Sequence, residues 1–221
     1  MDAKIIKIAD GLRDLPDTPE TAAKVFRTIW VRWRHTPYFA LMALLALDEV
    51  LHFGPLVFSR GVRWAYTLAA QECPKAEVIK ALARTDKVYL MTKVERDKLA
   101  SLPDNVTIYH RRGVKDPRTK GWGLSWSIST ETMECMDLLS LAHAKDRAQH
   151  FVTTVPKTKI LCYFHNREEE VLVDVPEGWP VNEYEVGLPE PEAFAQYLAF
   201  AFNRVQQHVF EDFSKHAYLD D

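Results

Sequence analysis

The chain carries two kinds of hydrophobic spacing in succession. Between Pro19 and about Leu102, apolar residues recur roughly every three to four positions, the period of helices lying on a core. Thr18 ahead of Pro19 makes a helix start, with proline in the first helical position. Val25, Ile29 and Trp33 continue one face of that helix. A second helix restarts at Pro37. Its Leu41, Leu44, Leu45 and Val50 form an apolar face wide enough for burial among neighbours. Gly54-Pro55 breaks it, and the spacing predicts further helices over 58–70 and 74–83. Val88-Tyr89-Leu90-Met91 reads as a short apolar strand. Thr92 and Glu95 then read as the capping box of a helix over 93–102.

After Pro103 the pattern changes. Val106-Thr107-Ile108-Tyr109 is β-branched and aromatic, as strands are. The stretch from Gly113 to Gly123 is turn and loop material. Leu124-Ser125-Trp126-Ser127 reads as a short strand leading into a helix that starts near Ser129 or Thr130 and continues to about Ala148. Segments 160–164 and 170–175 are apolar strands joined by the tight connection His165-Asn166-Arg167, a hairpin. A Pro/Gly-rich loop follows, then an amphipathic helix from Glu192 to about Phe213. The fold class is therefore α+β. A helical region 1–102 precedes an α+β region 103–221, and one continuous domain fits the pattern equally well.

Composition narrows the function. Hydrophobic residues make up 47% of the 221 residues, enough for a real core. Lys+Arg is 28 against 31 for Asp+Glu, so the net charge is −3 and a dedicated electrostatic duplex binder is disfavoured. Three widely spaced cysteines without a Cys-x-x-Cys suit a reducing, cytoplasmic setting. The longest apolar run, Phe39 to Leu47, is too short to span a bilayer. Neither a Gly-x-Gly-x-x-Gly nor a P-loop pattern occurs, and Gly-x-Ser-x-Gly is absent too. Cys162-x-x-His165 has metal-ligand spacing but lacks a second ligand pair, so no metal site is expected. Trp30 and Trp33 belong to the apolar side of a core helix rather than to a nucleic-acid surface.

Three segments can carry chemistry. In His165-Asn166-Arg167-Glu168-Glu169-Glu170-Val171, residues two apart share a strand face, so Glu168 and Glu170 point one way and can divide roles. A solvated acidic hairpin edge is the competing reading. In Tyr109-His110-Arg111-Arg112-Gly113, an arginine at the end of a strand can grip a phosphate with its fork. In Gly121-Trp122-Gly123-Leu124-Ser125-Trp126-Ser127, Ser125 and Ser127 share one face and Trp126 takes the other.

The order of these segments resembles the Arg–Ser–Glu class of NAD-dependent ADP-ribosyltransferases. More narrowly, LPDNVTIYHRRG, GWGLSWS and HNREEEVLVD are similar to the phrases of small phage and bacterial members, across roughly residues 88–175. The resemblance implies a split β-sheet core, with NAD as substrate and a protein or nucleic-acid acceptor for ADP-ribose. It makes Glu170 the catalytic glutamate at the nicotinamide ribose and Glu168 the residue facing the acceptor. Ser125 would position Glu170 and the ribose. Ser127 and Trp126 would belong to the cofactor pocket. Arg112 would bind the phosphates if counted from Gly113, and His110 would take that place if counted from Tyr109, so the clamp stays open among His110, Arg111 and Arg112. Two alternatives accompany this reading. One is a catalytically inactive, phage-type or host-interaction binding protein on the same fold. The other is a metal-dependent nuclease or phosphotransferase.

Overall fold

The computed structural model describes residues 3–33, 38–69, 74–113, 122–142, 148–165, 169–187 and 189–206. The architecture is α+β. The chain divides into two compact units, with the division between Lys93 and Val94. The helix beginning at Lys93 thus groups with the sheet that follows it.

The first unit is built of helices α1 (Ala3–Leu12), α2 (Pro19–Trp33), α3 (Tyr38–Leu51), α4 (Pro55–Ala69), α5 (Lys75–Arg84) and α6 (Lys87–Leu90). Thr18 Oγ1 accepts the Thr21 N–H at 3.3 Å, so the start of α2 is the one its sequence announces. Val25, Phe26, Ile29, Leu41, Leu44, Leu47, Val57, Val62, Ala65 and Tyr66 are buried, and α2 and α3 both pack against α4. The first turn of α4 is capped from a distance: Asp17 accepts the N–H groups of Val57 at 2.8 Å and Leu56 at 3.2 Å. A Cβ at residue 54 would collide with the Asp17 carboxylate and push it off the Leu56 and Val57 N–H groups, so glycine suits the break. Buried Asp48 accepts Phe53 N–H at 3.1 Å and pairs with Arg84.

One reading is corrected here. Val88–Met91 is not a strand; Lys87–Leu90 forms the single helical turn α6. Asp86 caps it by accepting the Val88 N–H at 2.8 Å, and Arg63 holds the Leu90 carbonyl at 3.0 Å. An apolar run this short has no decisive period, so the cap decides.

The second unit holds α7 (Lys93–Ser101), then β1 (Asn105–Gly113), β2 (Ser125–Ser127), α8 (Thr130–Ala142), β3 (Ala148–Pro156), a 3-10 turn (Lys157–Lys159), β4 (Ile160–Phe164), β5 (Glu170–Val173), β6 (Asn182–Glu183) and α9 (Pro191–Gln206). The strands form one sheet in the order β4-β5-β2-β1-β3-β6, antiparallel throughout. One boundary moves. The helix read to about Ala148 is described over Thr130–Ala142, and Ala148 itself opens the strand Ala148–Pro156, which the spacing missed. The end of the last predicted helix, beyond Gln206, lies outside the described residues.

One sheet face carries the core: Val106, Ile108, Trp126, Val155, Ile160, Tyr163, Val171 and Val173, with Leu99 of α7 and Leu102 just after it packed on it. Helix α8 lies against β1 and β2 and packs with α9. Among the described residues, no helix is long and apolar enough to cross a membrane.

Candidate functional site

The segments that carry candidate chemistry become neighbouring strands β1, β2 and β5. Tyr109 lies opposite Ser127, and Ser127 lies opposite Glu170. Alternation along each strand then sorts the side chains. Arg111, Ser125, Ser127 and Glu170 fall on one face of the sheet. His110, Arg112 and Trp126 fall on the other, which is the core face.

That division separates the candidate clamps. The His110 ring lies 4.9 Å from Trp126 and 6.1 Å, edge-on, from Trp122. Its Nδ1 donates to the Ser125 carbonyl at 2.9 Å. Burial lowers its pKa; the Ser125 bond opposes this and nearby Arg112 adds to it. The Arg112 guanidinium sits 6.0 Å over the Trp122 ring, and Phe151 closes on Trp122 edge-on at 5.0 Å. Trp126 is buried, with its indole N–H on the Gly123 carbonyl at 3.1 Å. His110 and Arg112 therefore do not converge with Ser125, Ser127 and Glu170, and Trp126 is a core residue. Of the three clamp candidates, Arg111 shares the Ser/Glu face.

Arg111 stands in a polar group that the sequence pattern did not reveal. Its Nε lies 3.8 Å from Asp137 Oδ1 of α8, and His150 Nε2 of β3 lies 3.5 Å from the same oxygen. Burial lowers the His150 pKa, Asp137 partly restores it, and Arg111 lowers it again. Tyr184 packs against Tyr109 at 5.4 Å and His150 at 5.9 Å, and its backbone N–H donates to the His150 carbonyl at 3.0 Å. Burial raises the Tyr184 pKa, with Tyr109, Glu134 and Asp137 adding to it. The signal that could have found this group was β3. Once Ala148–Pro156 is a strand paired to β1, His150 must lie beside Arg111.

Glu170 is only 3% exposed, a buried carboxylate at the first position of β5. The residue before it, Glu169, has φ +43°, the left-handed region that side chains other than glycine avoid. The Glu169 carbonyl accepts the Ile128 N–H at 3.2 Å, tying β5 to the exit of β2. Glu168 lies outside the described residues. The Ser127 hydroxyl accepts the Ser129 N–H at 3.0 Å and donates to the Ser129 carbonyl at 3.2 Å, while Ser129 Oγ accepts the Thr132 N–H at 3.2 Å. Ser127 and Ser129 together shape the junction into α8.

Among the described residues no group of His, Cys, Asp and Glu side chains is arranged to hold a metal ion. Cys162 is buried, and the His165 Nδ1 is hydrogen-bonded to the Tyr163 hydroxyl at 3.2 Å.

No protein-family model, no curated protein and no solved structure matches this chain.

Proposed function

We propose that the protein cleaves NAD at the nicotinamide–ribose bond and transfers ADP-ribose to a macromolecular acceptor, protein or nucleic acid. The observation carrying this reading is the row Tyr109–Ser127–Glu170 across adjacent strands, which gives Arg111, Ser125, Ser127 and Glu170 a common face. A guanidinium, the Ser125 hydroxyl and a carboxylate suit a pyrophosphate joined to a ribose, while the Ser127 hydroxyl is engaged with Ser129 and supports the pocket wall. Arg111, rather than Arg112 or His110, takes the phosphates in this reading.

When the C–N bond breaks, its electron pair leaves with nicotinamide and positive charge spreads over the ribose. Glu170 accepts a hydrogen bond from the ribose 2′-hydroxyl and stabilises that charge where it develops. Ser125 orients the ribose. Glu168 orients the acceptor, whose nucleophile bonds to the ribose carbon and gives up its proton.

The experiment is nicotinamide release from NAD, with acceptor labelling, by the full chain and by Glu170→Gln. The expected loss is about 100–1,000-fold, the scale for removing one charge-stabilising group. Absence of turnover and of NAD binding in the wild-type protein overturns the reading.

A second reading rests on a different observation. His110 and Arg112 are turned to the core face and packed on Trp122 and Trp126. A catalytically inactive, phage-type or host-interaction binding protein on this fold would tolerate that loss of two clamp candidates. It predicts a melting temperature that NAD leaves unchanged.

A further inference from the structure

The end of β4 and the start of β5 meet at Glu170, because Phe164 pairs with Glu170. What fixes that end of the hairpin is a residue far away in sequence. Glu95, in the first turn of α7, is 1% exposed, and its Oε1 accepts the backbone N–H of His165 at 2.8 Å. The sequence reads Glu95 as the third residue of a capping box. In the fold its Oε1 reaches a backbone group 70 residues on.

The other end of α7 is tied down as well. Lys157 donates to the Ala100 carbonyl at 3.1 Å and the Leu102 carbonyl at 2.7 Å. Lys157 precedes β4 and His165 follows it. Helix α7 therefore brackets β4 at both ends, and Leu99 and Leu102 seat it on the sheet. The Tyr163 hydroxyl bonds the His165 ring at 3.2 Å, adding a second hold at the same point. A carboxylate accepting a backbone N–H away from water makes a short, charge-assisted bond. Such a bond fits a task of precise placement better than one of bulk stability, because a buried carboxylate is costly to desolvate.

We propose that Glu95 is a positioning residue: it holds the His165 N–H, and through the Phe164–Glu170 pair it sets where the Glu170 carboxylate stands. The catalytic half of this statement rests on the NAD reading above; the structural half does not.

Two conservative variants test it in the full chain. Glu95→Gln keeps the reach and an acceptor oxygen but loses the charge. Glu95→Asp keeps the charge but withdraws the oxygen from His165. The first measurement is amide hydrogen exchange. Glu95→Asp should speed exchange of the His165 and Val171 amides about tenfold, while amides of the β1–β3 ladder keep their rates. Glu95→Gln should stay close to wild type. The second is nicotinamide release, where Glu95→Asp should lower kcat about tenfold with KM for NAD nearly unchanged, and Glu95→Gln should recover most of it. Unchanged hairpin exchange in Glu95→Asp overturns the proposal, as does a loss carried by KM or a Glu95→Gln variant no better than Glu95→Asp. If wild-type protein turns over no NAD, the NAD reading and the catalytic half fall together, and the exchange rates alone decide whether Glu95 holds the hairpin.

Discussion

Ser127 and Glu170 lie directly opposite each other on neighbouring antiparallel strands, and both are buried. The Ser127 hydroxyl already bonds both the N–H and the carbonyl of Ser129. Removing it strips the junction between β2 and α8 of those bonds. Ser127→Ala should therefore cost about 1 kcal/mol of stability, the usual net worth of such a hydrogen bond. Ser125→Ala should cost less, because the Ser125 group that holds His110 is its backbone carbonyl and survives the change. Urea unfolding of both variants checks this. Equal losses would remove the distinction between the two serines.

Arg111 and Arg112 are adjacent in sequence and opposite in the sheet, so their substitutions should separate. Arg111→Lys retains the charge and gives up the planar fork. It should weaken NAD binding about tenfold or more, since hydrogen bonds to charged groups are worth about 1.5–3 kcal/mol. Arg112→Ala loses the contact over Trp122, worth about 0.5–1 kcal/mol of stability, and should leave NAD affinity unaltered. Thermal melting with NAD reads both, because a ligand at about 100 times its Kd adds about 2.7 kcal/mol to the native state. A shift lost in Arg112→Ala and kept in Arg111→Lys would return the clamp to the core face.

Helices α2 to α5 were legible because their information is local, whereas α1 was not read and α6 was read as a strand. Thr18-Pro19 starts α2, and Gly54-Pro55 separates α3 from α4. The strands β1, β2, β4 and β5 were legible for the same reason. Strand β3 was not, because no breaker separates its residues from the helix-forming stretch before them, and only pairing with β1 defines it. The facing of the clamp residues was not legible either. Counting residues leaves His110 and Arg112 together on one face, which is correct. Whether that is the face of Glu170 depends on the register of Tyr109 with Ser127, and a slip of one residue reverses it. Glu95 illustrates the same limit: a capping role could be read from the sequence, its bond to His165 could not.

His110 and His150 give the fold a pH dependence with a definite sign. In both, burial is the largest cause and lowers the pKa below the ordinary 6.5. The folded protein thus binds fewer protons at these sites than the unfolded chain. Their contribution is fully present above about pH 6.5 and is lost as the pH falls from there toward the lowered folded values. Each histidine contributes at most about 1.4 kcal/mol per pH unit in that window. Denaturant unfolding at pH 7.5 and pH 5.5 should show the drop, and His150→Gln should flatten it. Equal stability at the two pH values would mean that burial lowers neither pKa.

Glu169 offers a test of strain beside the candidate catalytic carboxylate. Its φ of +43° is in the left-handed region, which costs an L-residue about 1–2 kcal/mol. Glu169→Gly removes that cost but adds backbone freedom to the unfolded chain, worth about 0.5–1 kcal/mol in the other direction. The two nearly offset, so the glycine variant should be as stable as wild type or slightly more so. Glu169→Val has a β-branched side chain that tolerates the region worst, and it should lose about 1–2 kcal/mol or move the hairpin. A moved hairpin would carry Glu170 with it, so nicotinamide release should fall in the valine variant and persist in the glycine one. Two variants of equal stability and equal turnover would show that residue 169 is not held in the left-handed region in solution.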